Sequence, residues 1–224
     1  MTTICVDAMG GDESPEVVCA GIAAALKADE NLSILVAGND EVVTPFCEKT
    51  ERAIPLVTTE VIGMSEHPAE AVRHKKDSSI VRACSAVRAG EAEGFFSAGS
   101  TGAIFAAATM GVGRIRGIKR PAIASSMPGL DGHRTAILDL GANADVRPDS
   151  IVQFAQMGEA YARVTLGVEN PKVGLLSNGE EETKGNETTL AYHAALVESS
   201  CNFVGNAEGT DLLLGDFDVI VCDG

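Results

Sequence analysis

The chain has 224 residues, 45% of them hydrophobic and 4% aromatic, with no Trp. A chain of this length buries about 70% of its unfolded surface, so a core forms without disulfide or metal staples. Its net charge of 17 − 32 = −15 excludes general nucleic-acid binding, because a phosphate backbone demands a basic surface.

A first strand is predicted near residues 3–7, where the apolar run Ile4–Val6 ends at Asp7. Gly10-Gly11, Asp12 and then Ser14-Pro15 follow. Ser14 reads as an N-cap and Pro15 as the first helical residue. The helix over 15–28 carries Val18, Ile22 and Leu26 at i, i+4 and i+8, one face. Further strands are predicted near 33–37, 54–58, 94–98, 121–126, 135–140, 172–177, 202–205 and 217–222. Helices fit near 40–50, 68–75, 78–91, 101–112, 148–166 and 187–199. Such alternation predicts an α/β fold, a largely parallel sheet with helices on both faces. No linker or repeat is visible, so 1–224 reads as a single domain. The last predicted strand lacks a following helix to cover it, so a C-terminal part is expected to be missing.

Several chemistries are absent. The six cysteines form no C-x-x-C pair and read as reduced core thiols of a cytosolic protein. His67 and His74 lack H-E-x-x-H spacing, G-x-S-x-G does not occur, and the N-terminus is not a signal peptide. The low-charge stretch Phe95–Val112 is interrupted by glycines, Ser and Thr, so it is not a convincing membrane span. Gly111-Val112-Gly113 follows a helix, with Arg116 at the next glycine position, which argues against a dinucleotide site.

In open α/β sheets ligands bind beyond the carboxyl ends of the strands, and five turns there stand out. Asp7, Gly10, Gly11 and Asp12 form either a site or a capped turn. Ser97, Gly99, Ser100, Thr101 and Gly102 open an Ala-rich helix, where free N–H groups suit an anion; simple Ser/Thr capping is the alternative. No Lys follows, so this is not a nucleotide P-loop. Arg73, His74, Lys75 and Lys76 precede a second helix start at Asp77-Ser78-Ser79, making an anion pocket or a solvated face. Asp139–Asp145 includes Asn143. Ser177–Asn186 includes Asn178, Lys184 and Asn186, with Asn206 and Glu208 after the following strand; an acidic run of this kind is ordinarily just solvated. No side-chain nucleophile is persuasive, which leaves a bound anion as the nucleophile.

The stretches Val6–Asp12, Arg73–Ser79, Ser97–Ala103, Leu138–Asp145, Gln153–Gly158, Gly179–Asn186 and Asn202–Asp211, in this order, resemble those of the bacterial phosphate acyltransferases, the PlsX family. Ser100 departs from the pattern, where Asn is expected. The resemblance implies transfer of a long-chain acyl group from acyl-carrier protein thioester to inorganic phosphate, giving acyl phosphate for phospholipid synthesis. It further implies a homodimer with a phosphotransacetylase-like, isocitrate/isopropylmalate dehydrogenase-like architecture and no cofactor. The protein would be cytoplasmic, with peripheral attachment at the inner face of the membrane as an option. A membrane-bound glycerol-3-phosphate acyltransferase would be a further partner. The family also carries an additional C-terminal segment with a membrane-contacting element.

Under this resemblance Gly10 and Gly11 admit close backbone approach, and Asp7 and Asp12 orient neighbouring groups. Lys75, Lys76 and the Ser97–Gly102 turn hold the anion. His74, whose free pKa lies near 6.5, protonates the leaving sulfur. Asn143 and Lys184 join the catalytic set, and Asn178, Asn186 and Asn206 the substrate contacts. Arg114, Arg116, Lys119 and Arg120, in a run without acids, are expected to dock the acidic carrier protein, or to form a solvated connector or dimer contact. Alternatives are a phosphotransacetylase-like enzyme or a decarboxylating dehydrogenase on the same fold, and a non-enzymatic scaffold for lipid-synthesis proteins.

Overall fold

The computed structural model describes residues Met1–Gly224, which form two compact units, Met1–Gly113 and Arg114–Gly224. The boundary falls in the short stretch Gly111–Pro121, whose three glycines and four cations read as a helix exit and a basic run and not as a linker, so the sequence reads as one piece.

The first unit contains β1 (Thr2–Asp7), α1 (Glu16–Ala28), β2 (Leu32–Gly38), α2 (Asp40–Cys47), β3 (Ala53–Val57), α3 (Pro68–His74), α4 (Ser79–Ala89), β4 (Gly94–Phe96) and α5 (Thr101–Ala107). A π-helical turn, Ala108–Val112, continues α5. The strands run parallel in the order β3-β2-β1-β4. Their register explains the layers, because side chains alternate faces with period two. Ile4 pairs with Ile34 and Val6 with Val36, and this face packs on Ile22 and Leu26 of α1 and Val43 of α2. Cys5 pairs with Leu35 and faces the other way, against Ala83 and Val87 of α4. Helices therefore cover both faces. Phe96, opposite Val6 in the register, belongs to the α1 face, while Phe95 joins the α4 side.

One local expectation is corrected. Helix α1 begins at Glu16, with Pro15 as its cap residue and no side-chain cap. The Ser14 hydroxyl instead donates to the carbonyls of Met9 (2.8 Å) and Gly11 (2.9 Å), closing the loop after β1.

The connection from β3 to α4 is tied by Asp77. Its carboxyl accepts from Thr59 N–H (3.0 Å), Thr59 Oγ1 (2.7 Å) and Arg82 (2.5 Å). The Thr59 hydroxyl and then the Arg82 guanidinium hold its pKa below the ordinary value of 3.8. A lowered folded pKa stabilises above the unfolded pKa and is lost as pH falls through the folded one. Asp77→Asn is therefore expected to melt below the parent chain at neutral pH. The gap should close as pH drops below the ordinary 3.8; a gap independent of pH in thermal melts refutes this role.

The second unit contains β5 (Ser125–Pro128), β6 (Arg134–Leu138), α6 (Pro148–Tyr161), β7 (Val173–Leu176), α7 (Glu187–Val197), β8 (Phe203–Ala207), α8 (Asp211–Leu214) and β9 (Val219–Val221). A π-helical turn, Ala162–Leu166, extends α6. The sheet order is β5-β6-β9-β7-β8, parallel except where β5 meets β6. The expected strand at 121–126 is corrected to 125–128. It is an edge strand, the place where the missing N–H of Pro128 costs nothing. Phe154 and Ile151 of α6, with Tyr192 and Leu196 of α7, pack on Leu138, Val173, Leu175, Val219 and Val221. Helix α6 lies directly on β9: a Cβ at Gly158 would stand 2.4 Å from Val219 Cγ1. No helix of the chain is long and apolar enough to cross a membrane.

Candidate functional site

In the first unit the loops after β1 and β4 are bound to one another. Asp7 is fully buried at the end of β1. Its Oδ1 accepts from Met9 N–H (2.9 Å) and its Oδ2 from the Ser97 hydroxyl (2.7 Å). Ser97 Oγ in turn accepts from Gly99 N–H (3.0 Å). Gly10 lies against this chain of bonds: a Cβ there would stand 2.5 Å from Asp7 Oδ2 and 2.8 Å from both Gly99 N and Ser97 Oγ. Gly11, at φ +104°, passes over Ala98, a backbone conformation that favours glycine. Asp7, Gly10, Gly11, Ser97 and Gly99 thus form one constellation, while Asp12 is exposed on its rim.

Ser100 is the N-cap of α5, and its hydroxyl accepts from Ala103 N–H at 3.5 Å. Thr101 is exposed in the first turn of that helix. Gly102 has a packing role, since a Cβ there would meet Pro68 Cγ of α3 at 2.6 Å. A Cβ at Gly99 would sit 3.3 Å from Ile80 of α4. Both α3 and α4 therefore touch the turn, and the cationic stretch is the connection between them. Within it Lys75 Nζ donates to Val61 O and Glu66 Oε1, both at 2.7 Å. This bond holds the Glu66 carboxyl below the usual carboxylate range. Lys76 Nζ donates to Val72 O at 3.1 Å, satisfying a free carbonyl at the end of α3. His74 is exposed and lines a shallow recess with Glu66, His67 and Glu70. Both lysines are thus already partnered by the chain, which sequence reasoning did not anticipate.

In the second unit Asp139 repeats the device of Asp7. It is 2% exposed at the end of β6, and accepts from Ile123 N–H (2.8 Å) and Asn143 Nδ2 (2.7 Å). Asn143 also donates to Pro121 O (2.9 Å), so its amide fastens the turn. The common sequence signal is an apolar run that stops at an acid before glycine. Asn178 and Lys184 line one recess with Gly179, Glu180, Glu181 and Glu208, and Lys184 Nζ lies 3.9 Å from Glu181. Asn206 is buried at the end of β8, donates to Glu181 O (2.9 Å), and keeps an unpartnered Oδ1. Asn186 caps α7, its Oδ1 accepting from Thr189 N–H (2.9 Å).

The basic run opens the second unit with Arg114, Arg116, Lys119 and Arg120 all exposed. Lys119 pairs with Asp149 (2.8 Å), Arg114 donates to Lys119 O, and Arg120 to Asp145 O (3.1 Å). Much of its charge is therefore already engaged. All six cysteines are free. Burial pushes the thiols of Cys5 and Cys84 up to about 12 and those of Cys47 and Cys222 up to about 11, which leaves them protonated and poor nucleophiles near neutrality.

The family profile described as fatty acid synthesis protein matches residues 2–224. The phosphate acyltransferase of Pelotomaculum thermopropionicum is 51% identical, over 99% of this chain and 65% of its own length. That of Bacillus cereus is 46% identical, over 99% of this chain and 67% of its own. The chain thus spans about two thirds of these relatives. Among solved structures, a phosphotransacetylase from Streptococcus pyogenes superposes with TM-score 0.66 at 16% identity, covering 98% of this chain and 77% of its own. A 4-hydroxythreonine-4-phosphate dehydrogenase from Burkholderia phymatum gives 0.54 at 15%, covering 99% and 79%. At such identities the likeness is one of fold, and it is the phosphotransacetylase-like fold expected from the sequence.

Proposed function

Because the chain belongs to the fatty acid synthesis protein family, we propose that it transfers a fatty acyl group to inorganic phosphate. The donor is an acyl-carrier protein thioester and the product an acyl phosphate for phospholipid synthesis. The relatives' shared name, phosphate acyltransferase, supports the acceptor. The observation that carries the reading is the family match over residues 2–224; the Asp7–Ser97–Gly99 linkage fixes the turn at the strand ends, in a chain whose thiols are held protonated. A site that binds an anion and offers no nucleophile of its own uses the anion as nucleophile.

A phosphate oxygen attacks the thioester carbonyl carbon. The carbonyl oxygen takes up negative charge, the C–S bond breaks, and the departing sulfur accepts a proton from His74. The Ser97–Gly102 turn holds the phosphate, with N–H groups at the start of α5 facing the anion. Lys76 supplies positive charge from the α3–α4 connection, while the charge of Lys75 is balanced by Glu66. Within the second unit, Asn143, Asn178, Lys184, Asn186 and Asn206 are the candidate substrate contacts. Positioning of phosphate and thioester supplies ~7–11 kcal/mol of the barrier reduction, and a donor at the developing oxyanion ~3–4 kcal/mol. The protein acts as a cytoplasmic homodimer without a cofactor, and the exposed cations around Arg116 receive the carrier protein. The test is release of free carrier thiol from an acyl-carrier protein thioester by this chain. The expected rate rises and saturates with inorganic phosphate. Absence of release, or release independent of phosphate, overturns the reading.

A further inference from the structure

We propose that Glu66 is a resident counter-ion of the phosphate site: its carboxylate holds the Lys75 ammonium until phosphate arrives and then yields it to that anion. This rests on the acyl-to-phosphate reading above. The hydrogen bonds are arranged for such an exchange. Lys75 Nζ carries three N–H donors and uses two of them, on Val61 O and on Glu66 Oε1, both at 2.7 Å. Glu66 Oε1 also accepts from Gly63 N–H at 2.6 Å. Opening the pair therefore leaves neither partner bare: Glu66 keeps Gly63, and Lys75 keeps the Val61 carbonyl as a pivot. The side chains of Lys75 and Glu66 are 33% and 35% exposed. A pair so wetted contributes little to stability and exchanges readily, whereas opening a buried one would strand a charge. Phosphate, with a second negative charge and further acceptor oxygens, is the stronger partner for an ammonium.

The pair also belongs to a segment that touches the anion turn. Glu66 is followed by His67 and Pro68, and a Cβ at Gly102, in the first turn of α5, would stand 2.6 Å from Pro68 Cγ. Lys75 opens the connection to α4, where Ile80 lies 3.3 Å from the Cβ position of Gly99. The segment that carries both charges thus rests on the Ser97–Gly102 turn at Pro68 and at Ile80. Glu70 lines the same recess as the pair but makes no bond to Lys75, whose carboxylate partner is Glu66.

The test is calorimetric titration of the full chain with inorganic phosphate at mildly alkaline pH and low ionic strength. Glu66→Gln keeps the acceptor for Gly63 and removes the competing charge. Phosphate is then expected to bind about two- to fivefold tighter, the range that a half-exposed ion pair implies. Lys75→Met should weaken binding, and adding Glu66→Gln to Lys75→Met should restore nothing. These opposite signs separate exchange from a fixed strap: if the pair only braces its loop, both single variants disturb the loop and both weaken binding. Glu70→Gln controls for diffuse charge and should change binding less than Glu66→Gln does. Thermal melts establish that every variant folds. The proposal is overturned by a Glu66→Gln chain that binds phosphate no tighter than the parent, by a tightening that Glu70→Gln matches, or by one that survives Lys75→Met. A parent chain that binds no phosphate sinks the phosphate reading and this proposal with it, whereas phosphate binding that ignores Glu66→Gln sinks the exchange alone.

Discussion

Gly10→Ala should leave the chain folded and lower kcat/KM for acyl transfer by at least ~100-fold. The added methyl would stand 2.5 Å from Asp7 Oδ2 and 2.8 Å from Gly99 N and Ser97 Oγ. None of these atoms ends a free side chain. Asp7 and Ser97 are bonded to each other, and Gly99 N–H is bonded to Ser97. The loop must therefore lift, which breaks the link between the two strand ends. Displacements near 1 Å at a reacting centre cost ~10²-fold, and overpacking costs ~1–3 kcal/mol of stability. Steady-state kinetics with thermal melts check this. Parent-like turnover in a folded Gly10→Ala chain removes the constellation from the reaction.

Phe154→Ala should unfold the second unit far more easily than any surface change. Phe154 is fully buried and is the largest such side chain in the protein, clamped between α6 and the sheet. Truncations of this type cost ~3–5 kcal/mol, a large part of the ~5–15 kcal/mol that holds a domain. With an m-value of ~2 kcal/mol/M the urea midpoint falls by ~2 M. The chain has two tyrosines, Tyr161 and Tyr192, and no Trp, so intrinsic emission reports the second unit alone. A midpoint by tyrosine emission within ~0.5 M of the parent's contradicts this account of the core.

Most strands were legible because β-branched and aliphatic runs are short here and end at Gly, Asp or Asn. The parallel arrangement followed from their alternation with helical periodicity. The second sheet was not legible, since the glycines and cations of Gly111–Arg120 read as a helix exit and a binding patch and not as a boundary. Helix α8, Asp211–Leu214, is a single turn, too short for periodicity to register. At the candidate site, Asp7 and the Ser97 turn could be singled out because acids and small residues at strand ends are unusual in kind. The partners of Lys75 and Lys76 could not, because Val61, Glu66 and Val72 become neighbours only once α3 is placed.

At the end of β4 four successive residues are dealt to opposite sides: Phe95 toward α4, Phe96 and Ala98 toward the apolar α1 side, Ser97 toward Asp7. Because side chains alternate with period two, this segment has a reading phase. Removing one residue from Gly94–Phe96 exchanges the two sides, putting Ala98 where Ser97 meets the Asp7 carboxyl and the Ser97 hydroxyl on the apolar side. Removing two restores the assignment. Functional length variation in this strand is therefore expected in even steps only, and a library of single and double deletions would display that parity directly.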